Sequence, residues 1–575
     1  MLPLLFLAVF FLWPVVAMLA RGITATPSAH TGAQSSGLST TIDVSAFADV
    51  LRQPRTWRIV WHTLWMAGAG TLGSLFLGIP GAYVLYRCSF PGRGILRAIA
   101  VVPFVLPTVV VGVAFRALLG DGGLYEFLGL GESSWAVVLA MVFFNYAVVI
   151  RTVGTSWEHL DPRMEDAAAT LGAHRMRILT TITLPRLLPS ITAAGTLIFL
   201  FCSTAYGIVL TLGTPGVGTL ETEIWVQTAT FLDLRTAAVL SILQCVIVLA
   251  ALAVSSQANA HFEKSLSVTP SSRRKLSRHD ALPAVITAGV LLFVILVPLG
   301  SLLWRSLQHV GSGNSDSGTA HGLTLRNYRL LSTPGKGFAG GSDVLSALQH
   351  SAAIAVDATV IALIVGILLA LVLSRTPHNR IQRVALRILD ALCLLPLGIS
   401  AVTLGFGFFI SLAAPPADLQ RFGLLVPTAQ AVVVLPIVVR SLTPTLVSID
   451  PHLREAAATL GAGPMRVLAT IDMPALAQAC RRATGIAFAM SLGEFGATSF
   501  LASPDFITLP VLISRLLSRP GADNYGMALA ASVILGIVTS IAMGTSELIG
   551  TRRPFSKHRL PRSTPVQPVR RASLG

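Results

Sequence analysis

Two carboxylates sit where a carboxylate is costly. Asp357 interrupts SAAIAVDATVIALIVG and Glu494 interrupts AMSLGEFGATSF, each inside a run otherwise apolar enough for a membrane interior. Ionisable groups at such depth mark ion or solute pathways by default, and acids favour a passing cation. At the matching positions of the first half of the chain stand Ala69 and Ala205. The plainer reading is a buried carboxylate bonded to backbone or to a hydroxyl of a neighbouring helix. The residues alone leave both readings open.

Little else in the chain could do chemistry. Its 12 histidines form no H-E-x-x-H pair. The five cysteines (Cys88, Cys202, Cys245, Cys393, Cys480) show no C-x-x-C spacing and read as buried thiols rather than ligands. A phosphate cradle of the form G-x-x-x-x-G-K-[ST] is missing; Gly335-Lys336 is followed by Gly337. No catalytic residue, metal or cofactor is expected, and energy for pumping must come from a partner.

The elements that carry these acids are membrane spans. Of 575 residues 53% are hydrophobic and 12% charged, against about 25% charged in soluble proteins. Runs of roughly 20 apolar residues suffice to span a bilayer. Candidates lie at about 2–20, 60–86, 95–119, 135–151, 190–212 and 234–256, then at 281–304, 344–374, 384–412, 423–441, 480–501 and 525–548. The first run lacks a basic leader and a good cleavage context, so it reads as a retained span. The expected fold is all-α: a polytopic membrane protein of about twelve transmembrane helices in two parallel six-helix repeats. Residues 1–256 form one half, 257–280 a polar linker, 281–549 the other half, and 550–575 a basic tail.

Arginines set the orientation. With the N-terminus in the cytoplasm, cytoplasmic segments hold Arg87, Arg93, Arg163, Arg175, Arg375, Arg380, Arg454 and Arg466, besides the linker and tail. The external loops 120–134 and 213–233 hold no Lys or Arg but six acids, among them Glu221 and Glu223. The net charge of +16 is therefore topology and requires no nucleic acid. Both termini fall in the cytoplasm.

One polar stretch occurs twice. DPRMEDAAATLGAHRMRILTTITLP (161–185) and DPHLREAAATLGAGPMRVLATIDMP (450–474) match at 15 of 25 positions at an offset of 289. Asp161 and Asp450 stand at N-caps, each followed by a proline suited to the first helical position. Glu165, Asp166 and Glu455 are expected in first turns, where the helix dipole favours acids. Gly172 and Gly461 permit the turn that ends each helix. About ten residues reach on the order of 15 Å, too short to span a bilayer. A second amphipathic stretch is expected before the next span, closing at Leu184-Pro185 and Met473-Pro474.

DAAATLG…ITLP and EAAATLG…IDMP resemble the cytoplasmic "EAA" signature of permease subunits of ATP-binding-cassette (ABC) importers. Asp166 replaces the usual Glu in one copy, and Met473 the usual Leu in the other. The resemblance spans both halves and implies a type I importer permease fold. It implies coupling helices carrying Asp166, Ala167, Ala168 and Gly172 in one loop, and Glu455, Ala456, Ala457 and Gly461 in the other. It further implies two copies of a cytoplasmic ATPase subunit, an extracytoplasmic solute-binding protein and a place in the bacterial plasma membrane. TLGTPGVGTLETEIWVQ, SLGEFGATSF and FITLPVLISRLL resemble the fused permeases of the thiamine and ferric-iron type. A twelve-span secondary transporter fits the helix count equally but gives no reason for paired capped loops.

Overall fold

The computed structural model describes residues 2–23, 45–213, 216–260, 274–277, 280–308, 323–333, 343–375, 377, 379–413, 423–503 and 506–551. Most of the linker, the tail beyond Thr551 and the Gly335-Lys336-Gly337 segment lie outside the described residues.

The first half runs α1 (Leu2–Ile23), α2 (Pro54–Arg87), α3 (Arg93–Val105), α4 (Thr108–Leu119), α5 (Ser134–Glu158), the short α6 (Arg163–Thr170), α7 (Arg175–Ser203), α8 (Gly207–Leu212), α9 (Leu220–Ala229) and α10 (Leu234–Ala260). The second half repeats this order as α11 (Ala281–Ser306), α12 (Val344–Leu373), α13 (Arg380–Gly398), α14 (Ala401–Leu412), α15 (Leu425–Val447), the short α16 (Pro451–Thr459), α17 (464–492), α18 (Thr498–Leu501), α19 (Leu509–Leu517) and α20 (Ala522–Thr551). Among the described residues, nine helices are long and apolar enough to cross a membrane, and up to eleven spans result if each of two bent pairs counts as one. The expected span 480–501 is not among them. Its helix carries Arg481 and Arg482 and ends at Leu492.

Several spans expected to be continuous are broken. The α3–α4 pair bends by 105° and the α13–α14 pair by 96°. Pro107 holds Leu106 in extended backbone (φ −73°, ψ 138°), which stops α3. At the second break Ser400 is extended and its hydroxyl accepts the Thr403 N–H at 2.9 Å, capping α14. The runs 190–212 and 480–501 break likewise, at 204–206 and at 493–497. At these breaks the backbones approach through glycine: a Cβ on Gly405 would fall 2.6 Å from Ala497 Cα, and one on Gly112 would overlap Thr211. The segment 213–233, read as a loop, contains α9, with Glu221 and Glu223 buried.

The halves exchange their first helices. α1 packs on α14 and α10, and α11 packs on α4, α2 and α20. Leu7 and Phe11 are buried among Leu369, Leu404 and Phe408 of the opposite half. Arg305, at the end of α11, donates to the carbonyls of Ala117 and Asp121 at 3.0 and 2.8 Å. Tyr206 and Phe495, equivalent at the repeat offset of 289, stack on each other with centroids 5.1 Å apart and planes 19° apart. Equivalent residues that touch each other lie beside the local two-fold. The seam between the halves therefore runs past this pair.

Candidate functional site

The two repeated loops fold alike because their ends are fixed by local chemistry. Asp161 Oδ1 accepts from the Arg163 amide and Asp450 Oδ1 from the His452 amide, both at 3.0 Å. The helices end in the same motif: Ala173 N donates to Ala168 O and Ala462 N to Ala457 O, both at 3.0 Å, with Gly172 and Gly461 at φ +82°. This is a Schellman closure with a left-handed glycine, a conformation costly for a side-chain-bearing residue. Glu165 and Asp166 occupy the first turn of α6 as expected; Glu455 does not, because α16 begins at residue 451 and places it in the second turn. The expected amphipathic stretch forms the first turns of the following helix, largely exposed but with Thr183 and Asp472 buried. Each loop passes straight into a long helix, α7 or α17, through a wide π-turn at Leu179–Thr183 and Leu468–Asp472. Pro185 and Pro474 follow at once, and the widened turn makes room for rings that would otherwise crowd the preceding carbonyls.

Both helices face outward. Asp166, Ala167, Gly172, Glu455, Ala456 and Gly461 are exposed, with Ala168 and Ala457 half-buried. The most prominent groups are ones the sequence gave no reason to single out. Leu171 is 88% and Leu460 87% exposed at the tips, flanked by exposed Met176 and Met465. Each short helix thus ends in an apolar knob of the kind that marks interaction sites on protein surfaces; the signal was a leucine before each turn glycine.

Beneath each loop lies an ion-pair clamp that the sequence reading missed. In the first half, Arg87 at the end of α2 pairs with Glu165 at 3.1 Å, and Thr183 Oγ1 donates to the other Glu165 oxygen at 2.9 Å. In the second half, Arg454 pairs with Asp472 at 2.9 Å, and Arg375 at the end of α12 reaches it at 3.6 Å. Asp472 is fully buried. At the repeat offsets, Arg375 matches Arg87, Arg454 matches Glu165 and Asp472 matches Thr183. The acid has moved from the loop helix to the following helix, and an arginine has taken its former place. Aligning the two copies for compensating charges would have found it.

The two acids of the opening pattern are not alike. Glu494 is buried in the break between α17 and α18, where its oxygens accept from Ala497 N at 2.7 Å, Thr498 N at 3.0 Å and Thr498 Oγ1 at 2.5 Å. Thr498 Oγ1 in turn accepts from Gln430, which binds Ser491. Asp357 is exposed on α12, on the face that also carries exposed Val356, Val360 and Ile364. That face is opposite the one packed on α15 and α17. The matching face of α2 shows exposed Leu72 and Phe76, with Trp57 and Trp61 near its start, as a lipid-facing helix does. Asp357 thus sits on the outer face, away from the seam, and the two acids are not brought into one cluster.

A third acid, hidden in what reads as a loop, is at the seam. Glu221 of α9 is fully buried, and Ser400 of the other half donates to its Oε2 at 2.8 Å. Its Oε1 has no hydrogen-bond partner among the described residues. Tyr206 lies within electrostatic reach of both Glu221 and Glu494.

An all-helical, duplicated membrane protein with paired capped loops is the architecture of an ABC importer permease. The chain belongs to the family described as binding-protein-dependent transport system inner membrane component, which matches residues 70–268. Its relatives extend the match. It is 36% identical over 169 residues to the molybdenum transport system permease protein ModB of Escherichia coli, covering 28% of this chain and 73% of that one. It is 27% identical over 496 residues to the thiamine transport system permease protein ThiP of Brucella suis, covering 84% of this chain and 86% of that one. The ThiP of Salmonella typhimurium is 24% identical over 479 residues, 81% of this chain and 84% of its own. The protein is a multi-pass permease of the bacterial inner membrane, and the twelve-span secondary transporter is set aside.

Proposed function

We propose that this chain is the entire translocation pathway of a thiamine-type importer, both halves fused. It takes solute from an extracytoplasmic binding protein and couples to two ATPase subunits through α6 and α16. The observation that carries the coupling role is the pair of matched, outward-facing helices with the same C-terminal glycine closure and the same protruding leucine. Two equivalent docking points fit two equivalent ATPase subunits. Asp166, Ala167, Ala168 and Gly172 serve one, and Glu455, Ala456, Ala457 and Gly461 the other. The likeness over 81–84% of this chain to permeases named for thiamine supports that solute over ferric iron. The arginines gathered at the loop end support a cytoplasmic placement of the loops, the linker and both termini.

Thiamine uptake tests the reading. A bacterial strain unable to make thiamine and lacking its own importer, given this chain with its ATPase and binding protein, should accumulate labelled thiamine and grow on it. Accumulation of another solute with no thiamine uptake would sink the substrate assignment while leaving the permease architecture standing. A reporter fused near residue 270 should be inaccessible from outside.

A further inference from the structure

Glu221 presents a problem in energetics. A carboxylate wholly removed from water is unfavourable unless paired or fully hydrogen-bonded. Glu494 meets that condition with three donors. Glu221 has a single donor, and that donor, Ser400, belongs to the other half of the molecule. Its second oxygen is buried without a partner among the described residues. Among the described residues no ion pair involves either acid. Such a group is either held neutral by a proton or half of a site that another molecule completes.

Its position favours the second. The carboxylate bridges the two halves, so separating them along the seam breaks the Ser400 bond and frees both oxygens toward the gap. Beside it, Tyr206 and Phe495 stack across the local two-fold, within reach of the charges on both Glu221 and Glu494. Opening the seam would unstack the pair and turn two aromatic faces toward the same gap. An acid with a free oxygen, a second acid nearby and two aromatic faces together suit a planar organic cation, attracted to carboxylate and to ring faces at once. A bare metal ion would use the acids but not the rings.

We infer that Glu221, with the Tyr206–Phe495 stack and the field of Glu494, forms the closed gate of the pathway and a transit site for an aromatic cation such as a thiazolium. Shut, the gate joins the halves through Glu221 and Ser400. Open, it offers the cation a counter-charge and a stacking surface. This rests on the thiamine-type reading and adds the residues that select charge.

The test uses the full chain in proteoliposomes with its ATPase and binding protein, following labelled thiamine uptake and binding-protein-stimulated ATP hydrolysis in parallel. Glu221→Gln, which keeps shape and the Ser400 contact, should lower uptake about tenfold while hydrolysis stays within about twofold of wild type. Glu221→Asp, which keeps the charge, should hold uptake within about threefold of wild type. Glu494→Gln should lower uptake less than Glu221→Gln. Wild-type uptake with an unimpaired Glu221→Gln variant overturns this inference alone. Loss of uptake and hydrolysis together in both Glu221 variants makes the residue structural and also overturns it. Stimulated hydrolysis by wild type with no thiamine uptake fails the substrate reading and takes the inference with it.

Discussion

The loops at 161–185 and 450–474 share most of their residues, yet they are fastened to the membrane bundle by different charges. In the first, a loop-helix acid, Glu165, reaches back to Arg87. In the second, the loop helix supplies an arginine, and the acid, Asp472, waits beneath it between Arg454 and Arg375. The constant member is the arginine ending α2 or α12, the long helix of each half. What the two clamps share is a carboxylate between that arginine and the loop, partly exposed in the first and buried in the second; which element supplies it differs. A clamp of this kind ties the short helix to the long helix, as the proposed coupling role requires if ATPase motion is to reach the spans.

The comparison breaks most sharply at Asp472. Removing a buried acid that serves two arginines leaves uncompensated charge, which costs about 3 kcal/mol or more; the half-exposed Arg375 will bear little of it. Asp472→Asn should lower the thermal midpoint of the purified chain and expose the 450–474 loop to protease. Glu165→Gln should do the same to 161–185 with a smaller effect, about 1–2 kcal/mol, because Glu165 is partly exposed and serves one arginine. Equal or reversed effects would show that the clamps do not differ as their burial says.

A transplant sharpens the same point. Glu165→Arg alone sets two arginines together, and Thr183→Asp alone adds a second acid beside Glu165. Together they write the second clamp into the first loop. The double variant should recover most of the stability lost by Glu165→Arg, with a coupling energy of about 1–3 kcal/mol in a double-mutant cycle. Additive losses would mean that the charges are incidental.

What could be read from sequence was what local chemistry dictates. The Asp450-Pro451 start, the left-handed glycines and the repeated stretch are legible residue by residue, and the structure carries them; in the first copy the helix begins one position later than expected, at Arg163, with Pro162 rather than Asp161 at its N-cap. The bends at Leu106-Pro107 and Ile399-Ser400 were lost because apolar residues flank both, so hydropathy runs through them unbroken. Glu221 was lost because α9 is short and sits among residues that read as loop; only the opposite half, through Ser400, explains its burial. The exchange of α1 and α11 leaves no periodic trace, since a lipid-facing and a helix-facing apolar stripe look the same. Asp357 shows the converse failure. An acid in a greasy helix suggested a passage, yet depth alone does not say which way a side chain faces.

The turn glycines should give matched effects. Both stand at φ +82° with open space where a Cβ would point, so the penalty for valine is backbone strain alone, about 1–2 kcal/mol, the same in each loop. Gly172→Val and Gly461→Val should therefore reduce stimulated ATP hydrolysis equally. A large inequality would mean that the two docking points carry unequal loads.

The smallest effect on folding, and the cleanest test of docking, belongs to the leucine tips. Leu171 and Leu460 are so exposed that replacing either with alanine removes almost no buried surface in the isolated chain, and its unfolding free energy should change by less than about 0.5 kcal/mol, with the thermal midpoint nearly unmoved. In a complex the same side chains would fill a pocket, and truncating a well-buried interface leucine costs about 1–2 kcal/mol, or roughly five- to thirtyfold in affinity. Leu171→Ala and Leu460→Ala should each weaken ATPase binding in a pull-down titration while leaving the chain as stable as before, and the pair should weaken it further. Because the clamp variants act through the fold and the tip variants do not, the two sets separate on one plot of affinity against thermal midpoint. If the tip variants bind as tightly as wild type, the matched leucines are not the contact, and the docking role falls to the alanine faces and Asp166 and Glu455 beside them.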